Sequence, residues 1–233
     1  MKKIILGIMA CLLCISSYAQ RYEDSPNYNK KIAVFGGSFS VIPASDVAKA
    51  YWVDVLKSKV TTYGIGGAGF SIKTGEDRWL PGQIDKALAS GTNYDIFVIW
   101  ASTNDVTRET PIEEQEAQIK LCVDKLRKGA PNAKILFFSS MPVPMHEHAT
   151  EEEINKTPEG FRHVPRNMKK LPVYVENQEK VCKELGIPFL NLYTTSGIND
   201  YNAPDFFSSD KLHLNSAGYN HLKETLARFI AAN

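Results

Sequence analysis

The sequence predicts an α/β protein, a three-layer sandwich in which helices cover both faces of a parallel sheet. Three observations predict it. Five short runs rich in β-branched and aromatic residues recur along the chain. Their apolar character is nearly continuous, as in strands buried on both faces, where a half-exposed strand would alternate. Amphipathic helical patterns fill the intervals, and repeated strand–helix alternation implies parallel strands joined by right-handed crossovers.

The chain opens on Lys2 and Lys3, followed by an uncharged apolar run from Ile4 to Ile15. That run is shorter than the roughly 20 residues of a bilayer span. Ser17 and Ala19 put small residues where a signal peptidase reads, so residues 1–19 are expected to be an export leader cleaved before Gln20. An uncleaved anchor and a lipoprotein modified at Cys11 are the alternatives. Residues 20–233 then form one domain, periplasmic or extracellular, with no membrane span in the mature chain. The strands are expected at 31–35, 60–63, 95–100, 134–138 and 187–192, the second being the weakest. Helices are expected over 45–56, 83–89, 112–128, 173–185 and from about 216 onward, each with one apolar stripe for the sheet. Residues 142–171 interrupt the alternation. This stretch is far longer than a usual connection. It holds His146, His148, His163, Arg162 and Arg166, and Thr150 to Glu153 reads as a capping box opening a short helix. It is either a lid or substrate wall over one end of the sheet, or a surface excursion without a role.

Composition narrows the function. A hydrophobic content of 43% over 233 residues excludes a disordered or collagen-like chain and suffices for a core without disulfide or metal staples. A formal charge of +1 supplies no basic field for nucleic acid, and losing the leader removes two lysines and no acid. Cys122 and Cys182 remain after cleavage. An exported protein could pair them, and two buried thiols are the alternative, since both lie on apolar helix faces.

Ligands of open parallel sheets bind beyond the carboxyl ends of the strands. Four polar or glycine-rich segments follow strands at that end: Gly36-Gly37-Ser38, Gly64 to Gly69, Ser102 to Asp105, and Asp210 to His213. Their chemistry suits acyl transfer. A serine hydroxyl needs a base to become a nucleophile. His213 is the one histidine placed after a strand and loop, outside both the insertion and the last helix. Asp210, three residues earlier, can accept from its imidazole, fixing the tautomer and stabilising the imidazolium. Backbone N–H groups of Ser38 and Gly67 and the side-chain amide of Asn104 are candidates for an oxyanion hole.

In these four blocks the chain resembles the SGNH (GDSL-type) hydrolase superfamily across essentially its whole mature length. Ser38 stands for the S, Gly67 for the G, Asn104 for the N and His213 for the H of the name. The resemblance implies a flavodoxin-like sandwich with a five-stranded parallel sheet of order 2-1-3-4-5. It implies no cofactor, and ester hydrolysis by a Ser38–His213–Asp210 triad through an acyl-enzyme. The substrate is expected to be a small-molecule or carbohydrate ester with a short acyl group, an O-acetyl group among the options, because residues 142–171 are too polar to hold a lipid tail. The alternative is a catalytically inactive glycan-binding module on the same fold. Two positions depart from the family pattern. Gly37 stands where Asp is usual, and Ser102 stands where Gly is usual. The oligomeric state is not legible.

Rival chemistries are weaker. Gly64-x-Gly66-x-x-Gly69 matches a dinucleotide pattern but follows the second strand, and no periodic helix opens after it. A phosphate cradle at the first loop would lack a lysine. His146, His148 and His163 are a possible metal set, but three histidines in an insertion more often face solvent or substrate. Trp100 reads as core, and Trp79 is the better candidate for stacking on a sugar.

Overall fold

A computed structural model of the protein describes residues 21–41, 52–71 and 76–233. Five strands form one parallel sheet: β1 (Lys31–Gly36), β2 (Lys59–Thr62), β3 (Ile96–Trp100), β4 (Lys134–Phe138) and β5 (Phe189–Leu190). Their order is 2-1-3-4-5, as expected. Register runs Ile32↔Ile96↔Lys134 through the three central strands, so their carboxyl ends finish level. β2 is an edge strand whose residues alternate between exposed and half-buried, which is why its pattern is the faintest in sequence.

The helices are α1 (Trp52–Leu56), α2 (Leu80–Ala89), α3 (Asn104–Thr107), α4 (Ile112–Gly129), α5 (Pro144–Glu147), α6 (Glu151–Lys156), α7 (His163–Met168), α8 (Leu171–Leu185), α9 (Leu192–Thr195), α10 (Ala203–Phe206) and α11 (Ser216–Ala232). Successive strand residues point to opposite faces, and the core divides accordingly. Ile32, Val34, Val98, Trp100, Leu136 and Phe138 pack on one side against Leu222, Leu226 and Ile230 of α11 and Tyr174 of α8. Ala33, Phe35, Phe97, Ile99 and Phe137 pack on the other against Ile84 of α2, Ile119 and Leu126 of α4, and Val181 of α8. Burying each large side chain contributes about 1.5–3 kcal/mol. Cys122 and Cys182 are free thiols within this second layer, so they remain two buried thiols. Burial pushes both well above the ordinary cysteine range.

Three expectations change or fall outside view. The leader and residues 45–51 of the first expected helix lie outside the described residues. The fifth strand, expected over 187–192, is only two residues long. Asn191 ends it by turning its side chain to accept the Thr194 N–H, which opens α9 and buries Leu192 in a helix. Residues 142–171 are a string of short helices. The capping box at Thr150 is present: its backbone N–H donates to the Glu153 carboxylate at 2.8 Å, and the Glu153 N–H donates back to its hydroxyl at 3.3 Å. Ile154 and Met168 are buried, so the insertion is anchored to the body of the domain. Among the described residues, no helix is long and apolar enough to cross a membrane.

Candidate active site

The four polar segments meet at the carboxyl ends of β1, β2 and β3. β1 ends at Gly36, whose backbone is clamped from both sides by the buried Gln83 of α2. The Gln83 carbonyl accepts from Gly36 N at 2.9 Å, and its amide donates to Gly36 O at 3.2 Å. This grip fixes the start of the loop that carries Ser38. Ser38 opens a single 3₁₀ turn, Ser38–Ser40, and is half-buried.

The neighbours of Ser38 touch two different groups. On one side, a side chain added at Gly37 would meet Ser102 Cβ at 2.6 Å and Ala68 O and Asn104 Nδ2 at 3.0 Å. On the other, the Phe39 ring lies 6.2 Å from the His213 ring. The two neighbours of Ser38 thus lie beside Asn104 and His213, which brings the far ends of the chain to one rim, and among the described residues no hydrogen bond joins Ser38 to His213.

His213 and Asp210 form a closed local unit. Asp210 Oδ1 accepts from the backbone N–H of Leu212 at 2.9 Å and of His213 at 3.0 Å, and Oδ2 accepts from His213 Nδ1 at 2.6 Å. Lys211, between them, takes a left-handed φ of 59°, which lets the loop turn tightly enough for an i,i+3 contact. Ser208 N–H donates to His213 O at 2.7 Å and closes the loop from behind. Partial burial works to raise the Asp210 pKa, but the hydrogen bonds from the His213 ring and the two amides outweigh it and hold the carboxyl below its ordinary value. An ionised Asp210 only accepts, so Nδ1 carries a proton, and in the neutral ring this leaves the lone pair on Nε2.

The predicted oxyanion donors are in two states. Among the described residues, no hydrogen bond engages the backbone N–H of Ser38 or of Gly67. Gly67 has φ +78°, a conformation glycine adopts freely. Asn104, by contrast, turns its amide onto Ala68 O at 2.9 Å and Ser102 Oγ at 3.2 Å.

The histidines weighed as a metal set point elsewhere. His146 Nε2 meets the backbone O of Asp210 at 3.3 Å, and His148 Nδ1 meets Asp200 Oδ1 at 2.7 Å. Among the described residues, no three or more His, Cys, Asp or Glu side chains gather as a metal cage. Trp100 is core, and Trp79 donates its indole N–H to Gln118 on α4. A wide concavity of about 640 Å³, lined by Lys30, Asn93, Asp95 and Lys134, lies at the amino ends of the strands, away from every site segment.

The sequence matches the GDSL-like lipase/acylhydrolase family over residues 17–221. The chain belongs to that family. No curated protein matches it. Among solved structures it is similar to the inhibitor-bound aryl esterase of M. smegmatis, at 17% identity and TM-score 0.61, covering 87% of this chain and 99% of that one. It is similar also to a protein from Lactobacillus plantarum, at 17% identity and TM-score 0.63, covering 88% and 98%. TesA matches at 16% identity and TM-score 0.58, covering 87% and 99%. At such identities these likenesses carry the fold alone. The family makes the protein an acylhydrolase of the serine hydrolase type.

In this GDSL-family acylhydrolase the two departures from the pattern are one feature. The Ser102 side chain occupies the volume that a side chain at position 37 would enter. Its hydroxyl donates to Ala68 O at 2.6 Å and accepts from the Asn104 backbone N–H at 3.2 Å, tying the second block to the third. Sequence reasoning gave no positioning role to four residues that hold the site. Gln83 is a polar residue on an otherwise apolar helix stripe, and that mismatch was the signal. Asp105 is fully buried and accepts from the N–H of Phe70 at 2.9 Å and of Ser71 at 3.0 Å. Its carboxyl also explains Gly69, where an added Cβ would come within 2.8 Å of it. His146 and Asn167 hold the insertion against the Asp210 loop and α3, Asn167 donating to Thr107 O at 2.9 Å. Nothing in the local sequence marks either of those two contacts.

Proposed function

We propose that the protein is an exported serine esterase in which Ser38 is the nucleophile, His213 the general base and Asp210 its orienting partner. The observation that carries this reading is the 2.6 Å His213–Asp210 hydrogen bond, with the His213 ring beside the Phe39 turn that Ser38 opens. His213 Nε2 takes the proton as Ser38 Oγ attacks the ester carbonyl. The negative oxygen is received by the N–H groups of Ser38 and Gly67, donors already fixed in place. Asn104 joins them by releasing its longer bond to Ser102, in keeping with catalytic hydrogen bonds that tighten only when substrate is bound. His213 then protonates the leaving alkoxide. Water, deprotonated by the same imidazole, frees the acid from the acyl-enzyme.

The acyl group is short, and O-acetyl groups on carbohydrate are the leading class. The makeup of the insertion supports this, because Ile154 is buried, Met168 packs into the core, and Phe161 alone among its large apolar side chains is exposed, too little to line a channel for a long acyl tail. Export rests on the Lys2–Ala19 leader pattern. An inactive glycan binder is the second reading, and the engagement of Asn104 with Ala68 is the observation that favours it. Hydrolysis of a series of nitrophenyl esters decides between them. Wild type should cleave acetate faster than long-chain esters, and Ser38→Ala should lose at least about 10³-fold in kcat. Equal rates for the two proteins reject the mechanism, and a long-chain preference rejects the substrate class.

A further inference from the structure

Gly67 faces two arginines. A side chain built on it would meet Arg78 Nη1 and Arg108 Nη2, each at 3.6 Å. The two guanidinium nitrogens are therefore separated by no more than twice that distance, directly beside a proposed oxyanion donor. Both residues are tied by backbone to the site loops. Arg78 O accepts from Gly69 N–H at 3.1 Å, and Arg108 N–H donates to Asn104 O at 3.1 Å. Among the described residues, no ion pair neutralises either charge. Among the described residues, arginine–carboxylate pairs are made by Arg166 with Glu151 and by Arg228 with Glu224. The buried Asp105 attracts Arg108 but turns its oxygens to the Phe70 and Ser71 amides. Arg108 consequently lies below the ordinary arginine pKa. Partial burial is the larger cause, the attraction of Asp105 opposes it, and repulsion from Arg78 adds to it.

Two like charges held side by side, opposed only in part by the buried Asp105, favour an anion that joins them. An oxyanion accepting from both forks at about 2.8 Å would span the gap, and guanidinium geometry suits carboxylate and phosphate. We infer that Arg78 and Arg108 form an anion-binding subsite, and that the substrate is an ester carrying a carboxylate or phosphate a few bonds from its scissile carbonyl. An O-acetylated acidic sugar fits this description. The inference rests on the esterase reading for its substrate, but the subsite itself can be tested without turnover.

The test compares matched pairs: para-nitrophenyl hemisuccinate against the butyrate, O-acetyl galacturonate against O-acetyl galactose, and O-acetyl glycerol phosphate against O-acetyl glycerol. At least one charged ester should exceed its neutral partner by about tenfold in kcat/KM. Which pair does so identifies the source of the anion. The ratio should fall towards one in Arg78→Gln/Arg108→Gln, shrink with added salt, and survive in part in Arg108→Lys, which keeps charge but not the fork. Ratios near one in wild type, or an unchanged ratio in the double variant, overturn the subsite. In parallel, calorimetric titration of Ser38→Ala with hemisuccinate reads binding alone. Binding tighter than that of the butyrate, and lost when both arginines are also changed, upholds the subsite even if no ester is cleaved, in which case it is the esterase reading that fails. Equal binding of the two esters to Ser38→Ala counts against the subsite whatever the rates.

Discussion

Position 37 shows how one residue's freedom is set by another. Gly37 and Ser102 each break the family pattern, and each looks like a loss when read singly. Together they fill one volume, since a Cβ at 37 would stand 2.6 Å from Ser102 Cβ. Neither residue is close to the other in sequence, so no local reading could couple them. Restoring the usual carboxylate by Gly37→Asp should therefore overpack the loop and cost about 1–3 kcal/mol in urea unfolding. Adding Ser102→Gly should return most of that loss, and the double variant should be more stable than additivity allows. Additive losses would show that the two sites are independent. Asp105 gives a second prediction at this scale. Burial is the main cause that raises its pKa from 3.8 to about 6, against the hydrogen bonds that lower it. Between those values the folded chain keeps a proton that the unfolded chain releases. Stability contributed by this group is thus full below the unfolded value and is lost as pH rises to about 6. The loss is on the order of 3 kcal/mol. Unfolding curves of wild type and Asp105→Asn, compared across that window, should differ by this slope, and parallel pH profiles would refute it.

The elements were readable to different degrees, and the reasons are physical. Strands β1, β3 and β4 are buried on both faces, so their apolar runs stand out in any window. β5 does not, because Asn191 can end a strand or cap a helix, and only the packing of Leu192 decides. The insertion was legible as a break in rhythm, and one of its helices by the Thr150 capping box, but not as a packed string. The contacts that seat it, His146 to the Asp210 loop and Asn167 to α3, join residues about 60 positions apart. The capping box is the handle for testing how firmly that string is held. Thr150→Ala removes the hydroxyl that accepts from Glu153 N–H and should cost about 1 kcal/mol. Proteolysis within residues 144–168 should rise more than global unfolding does, because α6 is short and relies on its cap. Unchanged cleavage would mean that Ile154, Met168 and the His146 and Asn167 contacts hold the segment without the cap.

Across the whole molecule, topology carries function. A parallel sheet of order 2-1-3-4-5 delivers the ends of β1, β2 and β3 to one rim. The loop before α11 returns from the far end of the chain to face them, so that His213 stands beside the Phe39 turn. That convergence could be read from four short blocks because their chemistry is local to loops. What sets their precision was readable only as oddities, a polar Gln83 on an apolar stripe and a Ser102 off the pattern, since Gln83, Ser102 and Asp105 act across the fold. The absence of a Cys122–Cys182 bond follows from the same architecture, which places both thiols among apolar side chains of the α4–α8 layer. The central claim is that Ser38 is an activated nucleophile, and reaction with a fluorophosphonate probe followed by peptide mass spectrometry tests it most directly. One equivalent of label on the peptide containing Ser38, lost in His213→Ala, is the predicted result. A folded wild-type protein that takes up no label, or takes it up at another residue, would contradict it.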